Sequence, residues 1–365
     1  MAYGRGVSTE HPPYRPLPQP LDAAPVDRAA HRRTEAGLVE RLVNEPATRV
    51  LLVHRGRLAT GVDGALALLP GGAVVGVPAT HGGERPRWLF LGEGEPAGDA
   101  AGRAEPGADA PTSYLALVLP DDADAEEVDI EGVDPAEALA VLARTHTWSG
   151  LRELSTRLDA TQAALATEAV ALAAWHAAHE RCPRCGEPTT LENAGWTRRC
   201  VAQGTELYPR TDPAVIMAVV HRGDGADRKD GTGDGVDGDE RLLLGHAAHW
   251  PERRFSTLAG YVEPGESLEN AVRREVREEA GVEVGEVTYR GSQPWPYPAS
   301  LMLGFFARAT TAALHVDGVE LTDARWFTRA ELERDVRSGE VLLPGRASIA
   351  RALIEDWFGS ELPGA

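Results

Sequence analysis

Cysteine is nearly missing from this chain, with three residues in 365. So sparse and odd a set argues against a disulfide framework and for a reducing compartment. Long apolar runs are missing too. No stretch approaches the roughly 20 residues a membrane-spanning helix needs, and no basic start leads into a secretory apolar region. The sequence therefore predicts a cytoplasmic chain with no membrane partner. Positive charge is also in short supply: 37 Lys and Arg stand against 56 Asp and Glu, a formal net charge of −19. That balance argues against broad electrostatic binding to nucleic acid or anionic lipid. An anionic ligand would need local cations, from arginines or bound metal. The length suits two domains of ordinary size.

What the chain does carry is a concentrated run of carboxylates. Gly260 is followed six residues on by Glu266, then by Arg274-Glu275, Glu278-Glu279, Gly281 and Val282. Val272, Val276 and Ala280 recur every four residues, which predicts an amphipathic helix with one apolar edge. At about 100° per residue, Glu275 and Glu279 lie about 40° apart, one turn above the other, with Glu278 beside them. Like charges this close repel, and a hard divalent cation such as Mg²⁺ or Mn²⁺ relieves the repulsion. Arg274 is placed to pair with a loop glutamate such as Glu266. Gly260 and Gly265 flank a turn where backbone can approach a ligand closely, and Gly281 reads as the helix stop. The bland alternative, a solvated Glu/Arg helix face, leaves this many fixed positions unexplained.

Ten residues past Val282 comes Ser292-Gln293-Pro294-Trp295-Pro296-Tyr297-Pro298-Ala299-Ser300. Three prolines exclude a central strand, because each removes a ladder donor. They predict a stiff extended loop presenting aromatic rings and polar ends. Such a stretch can equally cap a core.

Together these segments resemble the Nudix hydrolase family, and within it the NADH pyrophosphatase branch, in which Tyr297 replaces a commoner Phe. The resemblance implies an α/β fold, a Nudix α/β/α sandwich with a mixed sheet, preceded by a Nudix-like N-terminal domain and a zinc-ribbon segment. It also implies an activity: hydrolysis of the diphosphate of NAD(H) to nicotinamide mononucleotide and AMP. Two or three Mg²⁺ or Mn²⁺ ions would be held by Glu275, Glu279, Glu320 and the Ala259 carbonyl. Glu278 would ligate a metal or accept the proton of the attacking water, a role for which Glu279 competes. Tyr208 and Tyr261 would sandwich a base, with Gln293 to Ser300 as the adjoining wall. Ala350 falls where relatives contact substrate, and Arg152 lies near the position of a phosphate-reaching arginine, although a solvent-facing arginine is the alternative.

All three cysteines lie in one segment. Cys182-Pro-Arg-Cys185-Gly and Cys200 supply most of a structural Zn²⁺ site. The family pattern places a fourth cysteine where this chain has Gln203. His179 is one candidate to complete the set; a metal-free ribbon is the other reading. In relatives, a substrate-stacking tyrosine from the ribbon accompanies a homodimer with composite sites, which implies a homodimer here.

The expected organisation is a disordered tail at 1–30, an N-terminal domain at 31–145, a linker helix at 146–180, the ribbon at 181–209 and the catalytic domain at 210–360. Strands are predicted at Arg49–His54, Ala65–Leu69, Trp88–Leu91 and Ser113–Leu119, then at Ala214–His221, Arg241–Gly245, Ser256–Val262, Val287–Arg290 and Leu301–Ala309. Helices are predicted at 160–180, Ala330–Arg337 and Arg346–Phe358. Gly92–Pro111 and the Gly/Asp-rich Arg222–Glu240 read as surface loops, the latter lacking EF-hand spacing. Two other activities remain open. The same chemistry could remove NAD caps from RNA or cleave ADP-ribose and other dinucleotides. A non-catalytic nucleotide-binding regulator is the reading from a different class, against which all four glutamates stand.

Overall fold

The computed structural model describes residues 17, 26–61, 64–75, 77, 87–95, 111–123, 135–223, 240–316 and 318–364. Most of the expected tail, and the bulk of the two predicted surface loops (96–110 and 224–239), lie outside the described residues. The chain divides into two compact units. One comprises Gln19–Pro213 with Gln293–Met302, and the other is built mainly of Ala214–Ser292 with Leu303–Ala365.

The first unit holds β1 (Arg49–His54), β2 (Arg57–Thr60), β3 (Leu68–Pro70), β4 (Arg87–Gly94), β5 (Thr112–Val118) and β6 (Thr147–Ser149) in a sheet of order β4-β5-β1-β2-β6, with β3 also on β1. The sheet is mixed, since β1 runs parallel to β5 and antiparallel to β2 and β3. Its helices are α1 (Leu38–Leu42), α2 (Pro135–Thr145), α3 (Leu151–Leu154) and α4 (Ala160–Ala178). Leu51, Val53, Leu89 and Leu91 pack on one face against Ala163, Ala166, Ala169 and Val170 of α4. The small residues of α4 let the helix approach the sheet closely, which is why an Ala-rich helix is buried here. The ribbon strands β7 (Thr189–Glu192), β8 (Thr197–Cys200) and β9 (Glu206–Leu207) form a separate antiparallel sheet.

The second unit holds β11 (Glu240–Ala247), β12 (Leu258–Tyr261), β15 (Leu321–Phe327) and the greater part of β10 (Asp212–Arg222), β13 (Val284–Trp295) and β14 (Ser300–Ala309), in order β13-β14-β10-β11-β15 with β12 also on β10. Its helices are α5 (Leu268–Ala280), α6 (Arg329–Ser338) and α7 (Ile349–Phe358). The two six-stranded sheets share one plan: each strand of β1–β6 has a counterpart of the same chain order and the same sheet position among β10–β15. The apolar edge of α5, namely Ala271, Val272, Val276 and Ala280, packs against Val215, Met217, Leu243 and Phe305. Burying a side chain such as Val276 stabilises the fold by roughly 1.5–3 kcal/mol.

Several expectations need correction. The proline-rich segment is not wholly a loop. Ser292 to Trp295 continue β13, and the turn begins at Pro296. Pro294 is tolerated because β13 lies at the sheet edge. The strand expected at Ala65–Leu69 is displaced to Leu68–Pro70, with Leu66 making only an isolated bridge to Thr60. Gly92–Gly94 belong to β4 rather than a loop, and Asp27, expected in the tail, pairs with Glu93 of that strand. The last helix starts at Ile349, capped by Ser348 accepting from the Ala350 amide.

Candidate active site and thiol cluster

β12 lies antiparallel to β10, with Ala259 opposite Ile216 and Tyr261 opposite Ala214. The chain then turns through Gly265, whose φ of +87° favours glycine, and enters α5 at Ser267, whose hydroxyl accepts from the Asn270 amide. α5 ends at Gly281 in the left-handed conformation. Strand, loop and helix are thereby fixed at both ends.

Arg274 ties the three together. Its Nε and Nη2 donate to the two oxygens of Glu266, each at 2.9 Å, and Nη2 also donates to the Tyr261 carbonyl at 2.9 Å. Nη1 donates to Glu275 Oε1 at 2.8 Å and to Glu278 Oε2 at 3.2 Å. A planar fork meeting a carboxylate with two parallel bonds gives direction as well as attraction. The guanidinium holds the Glu266 carboxyl below its usual range, helped by the Glu263 amide.

Glu275 and Glu279 are buried, while Glu278 is exposed. Burial pushes the Glu275 pKa up; hydrogen bonding and charge from Arg274 oppose this, and the charges of Glu278 and Glu320 add to the rise. Glu275 leaves no room on the facing strand, because a Cβ added to Gly260 would lie 2.0 Å from its carboxyl carbon. Gly260 thus cradles a carboxylate of the protein itself. Glu320, exposed just before β15, accepts the Ala248 amide through its carbonyl at 3.1 Å. Ala350 is buried in the first turn of α7 in the same unit.

The remaining predicted residues belong to the other unit. Gln293 and Ser300 are buried at either end of the hairpin tip. Trp295 and Tyr297 meet edge to face at 5.3 Å, the Tyr297–Pro298 bond is cis, and the Ala299 carbonyl accepts the Asp212 amide at 2.8 Å. Arg152 is exposed, but it stacks rather than extends freely, its guanidinium 4.1 Å from the Tyr297 ring centre and 5.0 Å from that of Trp295. Burial raises the Tyr297 phenol pKa, and Arg152 opposes that rise. Tyr208 and Tyr261 are exposed, and the Tyr208 hydroxyl donates to Glu206.

Sequence reasoning missed Glu168. In α4 it is buried and paired with Arg28 at 2.6 Å, beside a cavity of about 410 Å³ that Pro294, Trp295 and Ser300 also line. Burial pushes its pKa up to about 7 against the opposing charge of Arg28 and Arg33. The only sequence signal was a lone acid inside an Ala-rich run.

In the ribbon, Cys182, Cys185 and Cys200 bring their sulfur atoms within 4.8 Å of one another, and Cys185 and Cys200 lie 3.5 Å apart. Among the described residues this is the one gathering of three or more such ligand atoms. His179 does not join it; its Nδ1 meets the Trp175 carbonyl at 2.9 Å. The Gln203 amide donates to Cys200 Sγ at 3.4 Å. Three convergent thiols with amide support fit a thiophilic ion such as zinc. The oxygens of Glu275, Glu279 and Glu320 are not drawn together to this degree, and Arg274 holds one oxygen of Glu275. Their chemistry, hard carboxylate oxygens of which those of Glu275 and Glu279 are buried, fits a hard divalent cation.

Comparison with known proteins accords with this geometry. Residues 236–344 match the model of the NUDIX domain family, and residues 177–208 match that of the NADH pyrophosphatase zinc ribbon domain. The former implies dependence on a divalent metal, and the latter implies zinc. The chain is 40% identical over 213 residues to the NAD-capped RNA hydrolase NUDT12 of Macaca fascicularis, covering 55% of this chain and 43% of that protein. It is 42% identical over 220 residues to the NAD-capped RNA hydrolase NudC of Mycobacterium bovis, covering 58% of this chain and 65% of that protein. The match thus spans less than two thirds of either relative. A solved NUDIX hydrolase from Nitrosomonas europaea aligns with a TM-score of 0.36 at 19% identity, covering 50% of this chain and 95% of that one.

Proposed function

We propose that this chain is a metal-dependent hydrolase cleaving the diphosphate of NAD(H) to nicotinamide mononucleotide and AMP. The observation that carries this is the Arg274 anchor, which fixes a glycine-bearing strand, a loop and a helix whose Glu275 and Glu279 are both buried. Burial raises the Glu275 pKa against the opposing charge of Arg274, and a divalent cation would further favour its ionised form.

Glu275, Glu279, Glu320 and the Ala259 carbonyl would hold the catalytic ions, Mg²⁺ or Mn²⁺. Ions held there would supply positive charge to offset that developing on phosphorus and would lower the pKa of the attacking water. Glu278, exposed at the helix surface, serves as a further ligand or takes the proton of that water; Glu279 competes for the second role. Tyr208 and Tyr261 supply flat faces for a base. Gln293, Pro294, Trp295, Pro296, Tyr297, Pro298, Ala299 and Ser300 form the adjoining wall, braced by Arg152, and Ala350 completes the substrate contacts. The organisation proposed with it is an N-terminal Nudix-like domain at 31–145, supported by its repetition of the catalytic strand plan, then a linker at 146–180, the ribbon at 181–209 and the catalytic domain at 210–360; the linker is not one helix as expected, since it carries β6, which pairs with β2, and α3 before α4. Homodimerisation and a cytoplasmic setting belong to the same proposal. Among the described residues, no helix is long and apolar enough to cross a membrane.

The names of the relatives favour a second substrate, the NAD cap at an RNA 5′ end. The chemistry is unchanged, and the net charge of −19 makes a free dinucleotide the easier anion to admit. Initial rates on NADH, NAD-capped RNA and ADP-ribose under one set of conditions decide the order. NADH ahead of capped RNA supports the primary reading, capped RNA ahead reverses it, and inertness toward all three supports a nucleotide-binding regulator instead.

A further inference from the structure

The ribbon contains the same turn twice. In the first, the Cys182 amide donates to the Glu187 carbonyl at 2.8 Å and the Gly186 amide to the Cys182 carbonyl at 2.9 Å. In the second, the Cys200 amide donates to the Thr205 carbonyl at 2.9 Å and the Gly204 amide to the Cys200 carbonyl at 2.9 Å. Both turns close on a glycine in the left-handed region, Gly186 at φ +77° and Gly204 at φ +65°. Superposing one pattern on the other puts Gln203 in the place of Cys185. The second turn therefore keeps the backbone of a metal knuckle without its second thiol.

Among the described residues, no His, Cys, Asp or Glu joins the three cysteines within ligand range, and His179 is engaged with Trp175. Gln203 is exposed, and a Cβ added at Gly186 or Gly204 meets nothing within 4 Å, so the face bearing the missing ligand is open. An amide oxygen is a weak partner for a thiophilic ion, whereas imidazole and thiolate are strong ones. Closed four-ligand coordination marks structural zinc, and three protein ligands with an exchangeable fourth mark a reactive centre.

The geometry points to a three-thiolate metal site in the ribbon, formed by Cys182, Cys185 and Cys200, whose fourth position beside Gln203 is open to a small exogenous imidazole or thiolate donor. This inference rests on the ribbon holding a metal and is independent of the reaction proposed for the glutamates.

The test uses the full chain carrying Co²⁺ in the ribbon, with imidazole as the probe. Thiolate-to-cobalt charge-transfer absorption reports the ribbon alone, because carboxylate-bound Co²⁺ has no such band. In the wild type, imidazole should shift the visible cobalt bands saturably. Gln203→Ala should reproduce the wild-type spectrum and response. Gln203→Cys should gain charge-transfer intensity from a fourth thiolate and lose the response to imidazole. A wild-type spectrum indifferent to imidazole overturns the proposal. So does a changed spectrum in Gln203→Ala, which would make Gln203 the ligand, or an undiminished response in Gln203→Cys. Absence of thiolate-to-cobalt absorption in the metal-loaded chain would remove the site altogether. None of these readouts involves turnover, so failure here leaves the proposed hydrolysis untouched.

Discussion

At the residue scale, the account turns on acids whose surroundings differ. Glu279 is buried on α5 and Glu278 is exposed on the same turn. Substituting Glu279→Gln keeps shape and removes charge. It should lower kcat by on the order of 10²–10⁴-fold while leaving the circular dichroism spectrum and melting temperature close to wild type. A variant keeping a substantial fraction of activity would take Glu279 out of the mechanism. Glu168 makes a different prediction. Its folded pKa of about 7 stands above the ordinary carboxylate value of 4.5. The fold therefore binds this proton more tightly than the unfolded chain does, and stability falls as pH rises through that interval. Glu168→Gln removes the ionisation, so its melting temperature relative to wild type should rise between pH 5 and pH 8, by a few degrees in order of magnitude. A difference independent of pH would contradict the burial of this acid. Glu168 also shows what sequence hides: nothing in its neighbours distinguishes it from a surface glutamate, and only the packing of α4 against the sheet buries it.

At the scale of elements, the unit that matters is β12, its loop and α5 held by one guanidinium. Lysine in place of Arg274 keeps the charge but cannot make paired bonds to Glu266 while reaching the Tyr261 carbonyl. Arg274→Lys should therefore lower metal affinity or kcat/KM by about 10–100-fold, as loss of outer-shell support does, with little change in overall fold. Titration of activity with Mn²⁺ measures it, and an unchanged midpoint with unchanged kcat/KM would refute the anchoring role. This element was legible in sequence because its spacing reports its own geometry: the period of Val272, Val276 and Ala280 and the Gly281 stop are local signals. The reason for Gly260 was not legible. Glycine was expected to admit a ligand, whereas the space it leaves is taken by the Glu275 carboxylate. The proline-rich hairpin was half legible for a similar reason. Local rules exclude Pro294 from a central strand, but the edge position of β13 is a property of the whole sheet.

At the scale of the whole molecule, two sheets of the same strand plan occur in one chain, and the carboxylate helix α5 follows β12 of the second. The first sheet instead packs the long helix α4 and shares its unit with the hairpin tip 293–302. Chain order alone assigns that tip to the C-terminal domain; the long-range pairing and packing that place it elsewhere leave no periodic trace in sequence. Net charge acts at this scale as well. With −19 on the chain, attraction of a diphosphate has to come from bound cations and a few arginines. Removing the divalent metal should therefore abolish both binding and turnover. The most direct measurement is chromatographic identification of products after incubation of the purified chain with NADH and Mn²⁺, with and without chelator. The account predicts equal amounts of AMP and reduced nicotinamide mononucleotide, formed only when metal is present. Intact NADH, products cut at the glycosidic bond, or cleavage that survives chelation would contradict it.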